Sequence, residues 1–302
     1  MLAVLFPGQG AQSPGMLSSW LELPGAAATL SELSEATNVD LLTHGTTSDA
    51  DTIRDTAIAQ PLLVAAAIAT AREVLGDVVP GLLAGHSVGE IGAAALAGVF
   101  SDADAMRLVT VRGAAMAAAA AAAEPTSMAA VLGGEGVEEA LARLGLTAAN
   151  VNGGGQIVAA GPSTAIAALV ADPPERARVI QLQVAGAFHT DVMGPAVEAL
   201  AAAASAAAVG DPRTTLLSNA DGAAVASGAD AVARLVKQVA SPVRWDLCME
   251  QMLNLGVTGI IEVAPGGVLT GLAKRVLKGV PAVAIKSPDD LPAARELLEA
   301  HS

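Results

Sequence analysis

The pentapeptide Gly85-His86-Ser87-Val88-Gly89 constrains this chain more than any other stretch. It matches a Gly-x-Ser-x-Gly turn and stands where such a turn must stand. The apolar run Val78 to Ala84 before it predicts a short buried strand, and the Ala-rich run Glu90 to Phe100 after it predicts a helix. Strand, tight turn and helix in that order build a parallel sheet with helices packed on it. The two glycines let backbone and neighbouring elements approach closely around a strained turn that exposes the serine oxygen, so Ser87 is a candidate nucleophile. Free N–H groups at the helix start then face any oxyanion formed on a bound carbonyl. An ordinary Gly-rich strand-to-helix turn with a serine at its cap spells the same letters, so context must decide.

The context is a chain of 302 residues, longer than a usual single core, which predicts a large domain with a smaller companion and two cores. A first strand at Met1 to Phe6 runs into the loop Pro7-Gly8-Gln9-Gly10, and helices follow to about Gly76, among them an apolar one from Ala59 to Leu75. Another helix spans Asp102 to Ala123. Between Met128 and Leu182 the pattern reads strand, helix, strand, strand, helix, strand, which is the ferredoxin-like split βαβ order and suits a small inserted domain. Helices from Pro195, Ala229 and Trp245 and strands at Thr214 to Ser218, Ile260 to Val263 and Ala282 to Ile285 complete the chain. The expected fold is α/β: a mainly parallel sheet domain made of residues 1–126 and 190–302, with 127–189 inserted.

Only 2% of residues are aromatic and none is tyrosine, so the core must be assembled from Ala, Val and Leu. A net charge of −14 argues against nucleic acid and against anionic membranes. No apolar stretch is read as reaching the roughly 18 to 20 residues that span a bilayer, and Met1 to Phe6 lacks the basic leader of a targeting segment. The sole cysteine, Cys248, fits a reducing cytoplasm and reads as a packed core thiol. Cytoplasmic localisation is the expectation.

Among the four histidines, His86 adjoins the serine and is expected to point away from its oxygen, His44 lies in a polar stretch read as a loop, and His301 is at the chain end. His189 remains, at the return point from the inserted segment, where a cleft between domains would face it toward the turn. It is either the base for Ser87 or a satisfied histidine at a domain junction. Asp191 fits a helix cap better than an orienting acid, which leaves a backbone carbonyl to hold the imidazole. Arg112 lies on the helix after the turn's own, on a face expected to be buried. It either holds a substrate carboxylate through its guanidinium fork, snorkels to the surface, or pairs with an acid of the protein.

Several blocks in one order carry a family resemblance over nearly the whole chain. They are Phe6-Pro7-Gly8-Gln9-Gly10, Gly85 to Glu90, Arg112-Gly113, Gly186-Ala187-Phe188-His189, Ser241-Pro242-Val243-Arg244-Trp245 and Glu262-Val263-Ala264-Pro265-Gly266. Together they resemble the malonyl-CoA:acyl carrier protein transacylases of discrete type II fatty acid synthesis. The resemblance implies a hydrolase-like α/β domain carrying a ferredoxin-like subdomain, although the order Ser, acid, late His of ordinary α/β-hydrolases is not followed. It implies Ser87 as nucleophile, His189 as base, Gln9 and Val88 as backbone oxyanion donors, Arg112 as holder of the malonyl carboxylate, and the main-chain carbonyl of Gln238 as the group that orients His189. Phe188 resembles the malonyl-selecting form of a motif that carries serine in methylmalonyl selectors. Acyltransferase domains of polyketide synthases share the core motifs, and a chain with its own Met1 and no appended domain favours the free-standing enzyme. Malonyl-CoA and an acidic acyl carrier protein are the implied partners, with no cofactor and no metal.

Two other outcomes compete: a hydrolase using the same serine and histidine, and a catalytically silent carrier-binding module. Retention of Ser87, His189 and Arg112 together speaks against the latter. A protein of charge −14 needs local positive charge to recruit an acidic carrier, and Lys274, Arg275 and Lys278 form the densest basic group, read as one helix face. A solvated face near a helix C-terminus accounts for the same three residues.

Overall fold

In the computed structural model, which describes residues 1–301, β1 (Leu2–Phe6) is buried at every position, as a strand covered on both faces must be. It lies at the centre of a five-stranded sheet with β2 (Leu82–Gly85), β7 (Thr215–Leu216), β9 (Gly259–Glu262) and β10 (Ala282–Ala284), in the order β10-β9-β1-β2-β7. Every pairing is parallel. Phe6 stands opposite Gly85, so the loop leaving β1 and the turn leaving β2 emerge side by side at the C-terminal edge, where open α/β sheets hold their sites.

A second sheet contains β3 (Thr126–Leu132), β4 (Thr147–Gly153), β5 (Gln156–Pro162), β6 (Arg178–Gln181) and β8 (Val243–Arg244), ordered β6-β3-β5-β4-β8. Its first four strands pair antiparallel, while β8 joins β4 in parallel, Asn150 opposite Val243 and Val151 opposite Arg244. That fifth strand comes from outside the segment expected to be inserted. Its two residues are too few to register as a strand in sequence.

The helices are α1 (Pro24–Glu35), α2 (Leu41–Thr46), α3 (Thr56–Leu75), α4 (Gly89–Ala97), α5 (Asp102–Ala122), α6 (Val137–Arg143), α7 (Ser163–Ala171), α8 (Gly194–Ser205), α9 (Gly228–Gln238), α10 (Trp245–Asn254), α11 (Val268–Val276) and α12 (Leu291–His301). Against expectation, α3 and α5 are both long and apolar enough to cross a bilayer; 83% of the most apolar window of α3 is nevertheless buried inside the fold. The two pack on each other, and small side chains along α5 permit that close contact.

Alternation along the strands sorts the core. Val4, Phe6, Leu83 and Ile261 join one cluster with α3, α5 and the inner residues Met128, Val158 and Ala160 of the second sheet. Ala3, Leu5, Leu82 and Ile260 face the other way, onto Trp245, Cys248 and Leu272. Ala129, Val131 and Ala159 pack under Ile166 and Leu169. Three clusters therefore replace the two expected, because both faces of each sheet are covered, and the largest cluster runs through both sheets.

Val78 and Val79 are outside β2 and Val79 is 64% exposed, since Pro80 and Gly81 delay the strand to Leu82. The helix after the turn stops at Ala97, where Gly98 takes a left-handed cap instead of continuing to Phe100. His44 belongs to α2, capped by the Asp40 carboxylate accepting from Thr43 N–H, rather than to a loop. His301 ends α12, a helix not anticipated, and its ring nitrogen Nδ1 is hydrogen-bonded at 2.9 Å to Thr258 Oγ1. Lys278 lies beyond the end of α11, so the basic group is not one helix face.

Candidate functional site

Ser87 sits between β2 and α4 with φ of 52°, the left-handed conformation that a sharp strand-to-helix turn imposes on a side-chain-bearing residue. Both flanking glycines are needed for contact. A Cβ on Gly85 would fall 2.0 Å from the Gly89 carbonyl carbon, and one on Gly89 would fall 2.2 Å from the Phe6 oxygen.

His189 also has positive φ, 62°, and is buried. Its Nε2 lies 2.7 Å from Ser87 Oγ and its Nδ1 lies 2.9 Å from the Gln238 carbonyl oxygen. A carbonyl only accepts, so the Nδ1–H donates to it and Nε2 keeps its lone pair for the serine hydroxyl. That carbonyl is available because Gln238 is the last residue of α9, where intrahelical partners run out. Burial, reinforced by the Arg112 charge, pushes His189 down from its ordinary 6.5 to about 3, so the imidazole is neutral at physiological pH. Asp191 is exposed and takes no part.

Arg112 is only 1% exposed, which removes snorkelling. Its Nη1 donates to Gln60 Oε1 at 2.7 Å, and its Nη2 donates to Gln238 Oε1 at 2.9 Å and to Ser87 Oγ at 3.3 Å. Among the described residues it makes no ion pair. Burial lowers it to about 10, so it remains a cation. The fork is aimed at the serine by two neutral amides.

Gln9 follows β1, and its side chain is held by Nε2 donating to Thr56 Oγ1 at 3.1 Å. Neither the Gln9 N–H nor the Val88 N–H has an acceptor among the described residues. A narrow cavity of about 80 Å³ opens over the serine, lined by Gln9, Gln60, Ser87, Met116, Phe188 and His189 among others. A wider cavity, about 670 Å³, is lined by Arg234, Lys237, Gln238, Ser241 and Arg244, away from the Ser87 hydroxyl. Its arginines are already paired, Arg234 with Asp221 and Asp230 and Arg244 with Asp246. His86 points away from the serine oxygen, with Nε2 2.9 Å from Asn152 Oδ1 and its ring edge-on to Trp245. Cys248 is fully buried, and burial pushes its thiol up, out of the nucleophilic range. Lys274, Arg275 and Lys278 are exposed, far along the chain from these residues, and form no ion pair among the described residues.

Three polar residues beneath the serine were not singled out from sequence. Asn219 Oδ1 accepts from Ser87 N–H at 2.7 Å while its Nδ2 donates to the Gly85 carbonyl at 2.8 Å, tying the turn down on both sides of His86. Glu90, 4% exposed, accepts from Asn219 N–H and from Gln238 Nε2. Burial raises its carboxyl to about 8 against the pull of those donors and of Arg112. Gln60 is one of the few polar positions in α3, and that isolation was its only sequence signal.

The acyl transferase domain model matches residues 4–290. The malonyl CoA-acyl carrier protein transacylase of Mycobacterium tuberculosis (strain ATCC 25618 / H37Rv) is 52% identical over 297 residues, which cover 96% of this chain and 98% of that protein. The crystal structure of MCAT from Mycobacterium tuberculosis is similar with a TM-score of 0.94 at 52% identity, covering 98% of this chain and 99% of that one. A type II PKS acyl-carrier protein in complex with its malonyl-transacylase provides a further likeness, at TM-score 0.89 and 32% identity, covering 98% and 99%.

Proposed function

The chain belongs to the acyl transferase domain family, among the malonyl-CoA–acyl carrier protein transacylases, and on that premise we propose that it moves a malonyl group from malonyl-CoA to the pantetheine thiol of acyl carrier protein, feeding fatty acid chain elongation. The observation that carries the mechanism is the convergence on one oxygen: His189 Nε2 at 2.7 Å and Arg112 Nη2 at 3.3 Å both meet Ser87 Oγ.

Ser87 attacks the thioester carbonyl as its proton passes to His189 Nε2, with the Gln238 carbonyl holding the imidazolium through Nδ1–H. The tetrahedral oxyanion accepts from the Gln9 and Val88 N–H groups, and their lack of other acceptors supports that role. Collapse expels the CoA sulfur, which takes the proton from His189 and leaves malonyl-Ser87. The carrier thiol then gives its proton to His189, attacks the ester and leaves with the malonyl group as the proton returns to Ser87. Arg112 holds the malonyl carboxylate by two parallel hydrogen bonds. Phe188, beside Ser87 in the cavity wall, limits branching at the α-carbon and so favours malonyl over methylmalonyl. Lys274, Arg275 and Lys278 supply positive charge for carrier docking. Nucleophile, base and donors are all protein groups, so the steps call on no cofactor.

The parallel sheet with its serine turn supports a hydrolase-like reading of the catalytic domain, residues 1–126 and 190–302. The strand order β6-β3-β5-β4 supports a ferredoxin-like reading of 127–189. The charge of −14 and the single free Cys248 support a cytoplasmic setting without nucleic acid or membrane partners.

The test is intact mass after mixing with malonyl-CoA alone. One malonyl unit should be gained, peptide mapping should place it on Ser87, and adding acyl carrier protein with its pantetheine arm should discharge it. Modification at another residue, or normal turnover by Ser87→Ala, would refute the mechanism.

A further inference from the structure

Arg112 is unusual for a buried arginine in being held by amide oxygens alone among its protein partners other than Ser87. An amide suits that task only in one orientation, because its nitrogen turned toward the guanidinium would set donor against donor. For Gln238 the orientation is decided by what its nitrogen meets. Nε2 donates to Glu90 Oε2 and, at longer range, to the Ser87 carbonyl at 3.2 Å and Asn219 Oδ1 at 3.3 Å. Glu90 lies one turn after the nucleophile, and its other oxygen is occupied by the Asn219 N–H.

We infer that Glu90 is a positioning residue that determines acyl specificity: by accepting from Gln238 Nε2 it fixes the Gln238 oxygen toward Arg112, which keeps the guanidinium aimed at the serine with no acid of the protein in its fork. This rests on the reading of Arg112 as the malonyl carboxylate holder. An aspartate or glutamate in direct contact would compete with a substrate carboxylate for the same donors, whereas an amide oxygen leaves the cation's charge uncancelled. Glu90 supplies the anchoring acceptor one amide farther away. A carboxyl keeps acceptor lone pairs on both oxygens whether or not it carries a proton. A glutamine at this position cannot serve both neighbours: its nitrogen must face either Asn219 N–H or Gln238 Nε2, and the second arrangement invites the Gln238 amide to turn over and present nitrogen to Arg112.

The role predicts a difference between acyl donors. The main chain of Gln238 holds His189, which serves every donor, while its side chain holds Arg112, which serves donors ending in a carboxylate. Rates of Ser87 acylation by malonyl-CoA and acetyl-CoA should be compared for the wild-type protein, Glu90→Gln, Gln238→Met and the double variant. Glu90→Gln should lower the malonyl-to-acetyl ratio of kcat/KM by about tenfold, the scale of one lost hydrogen bond on a charged group. In the double variant the ratio should match that of Gln238→Met alone, since Glu90 acts through that amide. Equal losses for both donors in Glu90→Gln, or an independent further fall of the ratio in the double variant, would overturn the assignment. Should Glu90→Gln fail to fold, Gln238→Met must still lower the ratio, and an unchanged ratio overturns it equally. A wild-type protein that takes no malonyl group at all refutes the functional reading first, and this assignment with it.

Discussion

Arg112 shows how a buried charge can be kept ready rather than neutralised. Its three hydrogen bonds go to Gln60, Gln238 and Ser87, all uncharged, and burial lowers its proton affinity against the pull of the nearby Glu90 carboxyl. A malonyl carboxylate in the fork would supply the missing anion and lift the repulsion that Arg112 exerts on His189. Arg112→Ala should therefore cost about 2 to 5 kcal/mol in kcat/KM for malonyl-CoA, the usual cost of truncating one side of a buried charge pair. Acetyl transfer should be unchanged or improved, and steady-state kinetics with both donors decides. Equal losses would make Arg112 a structural residue. Ser87, His189 and Arg112 were legible in sequence because each breaks a local pattern: a serine between glycines, the one histidine at a return point, a cation among alanines. Glu90 and Asn219 were not, since what matters is a contact between residues 129 positions apart.

At the scale of elements, α11 illustrates a different use of a carboxylate. Glu262, at the end of β9 and fully buried, accepts from the N–H groups of Gly267, Leu269 and Thr270 at 2.8 to 2.9 Å and so closes the helix start that no serine or aspartate caps. The helix thus anchored presents Lys274 and Arg275 to solvent, with Arg275 carbons about 3.2 Å from where a Cβ on Gly154 would stand, beside the β4–β5 hairpin. Reversing both to glutamate should raise KM for acyl carrier protein and flatten its salt dependence, because such charges act chiefly on association. Acylation by malonyl-CoA should change much less. Equal effects on the two half reactions, or none, would remove this patch from docking. Elements with a clear period or cap were readable, among them α7 and the four antiparallel strands. The two-residue β8 was not, because it exists only through pairing with β4, whereas α12 carries a legible signal in the Ser287–Asp290 capping box before it and packs Leu291, Ala294 and Leu298 on the main core.

For the whole molecule, two buried groups pull stability in opposite directions with pH. The unfolded chain binds the extra proton at His189 between about 3 and 6.5, so that group makes the fold more stable as pH rises through the window. The folded chain binds the extra proton at Glu90 between 4.5 and about 8, so that group makes the fold less stable as pH rises there. Urea midpoints should accordingly level off near pH 4.5 to 6.5 and decline toward 8. In Glu90→Gln the midpoint should keep rising to 6.5 and lose the later decline; curves of identical shape would show that Glu90 does not titrate in this way. The parallel sheet and the second sheet were separately visible in sequence, but not that one core runs through both. That continuity, together with β8, bears on how the cleft over Ser87 moves. Asn150 and Val151 are laced by main-chain pairing to Val243 and Arg244, a few residues past the Gln238 carbonyl that holds His189. The sheets are therefore stitched on the side of Ser87 and His189 and cannot swing apart there as bodies on a free hinge. In native-state deuterium exchange, the backbone amides of β8 and the middle of β4 should lose protection together, at one rate. Early exchange confined to β4 would mean that the stitch opens without disturbing His189.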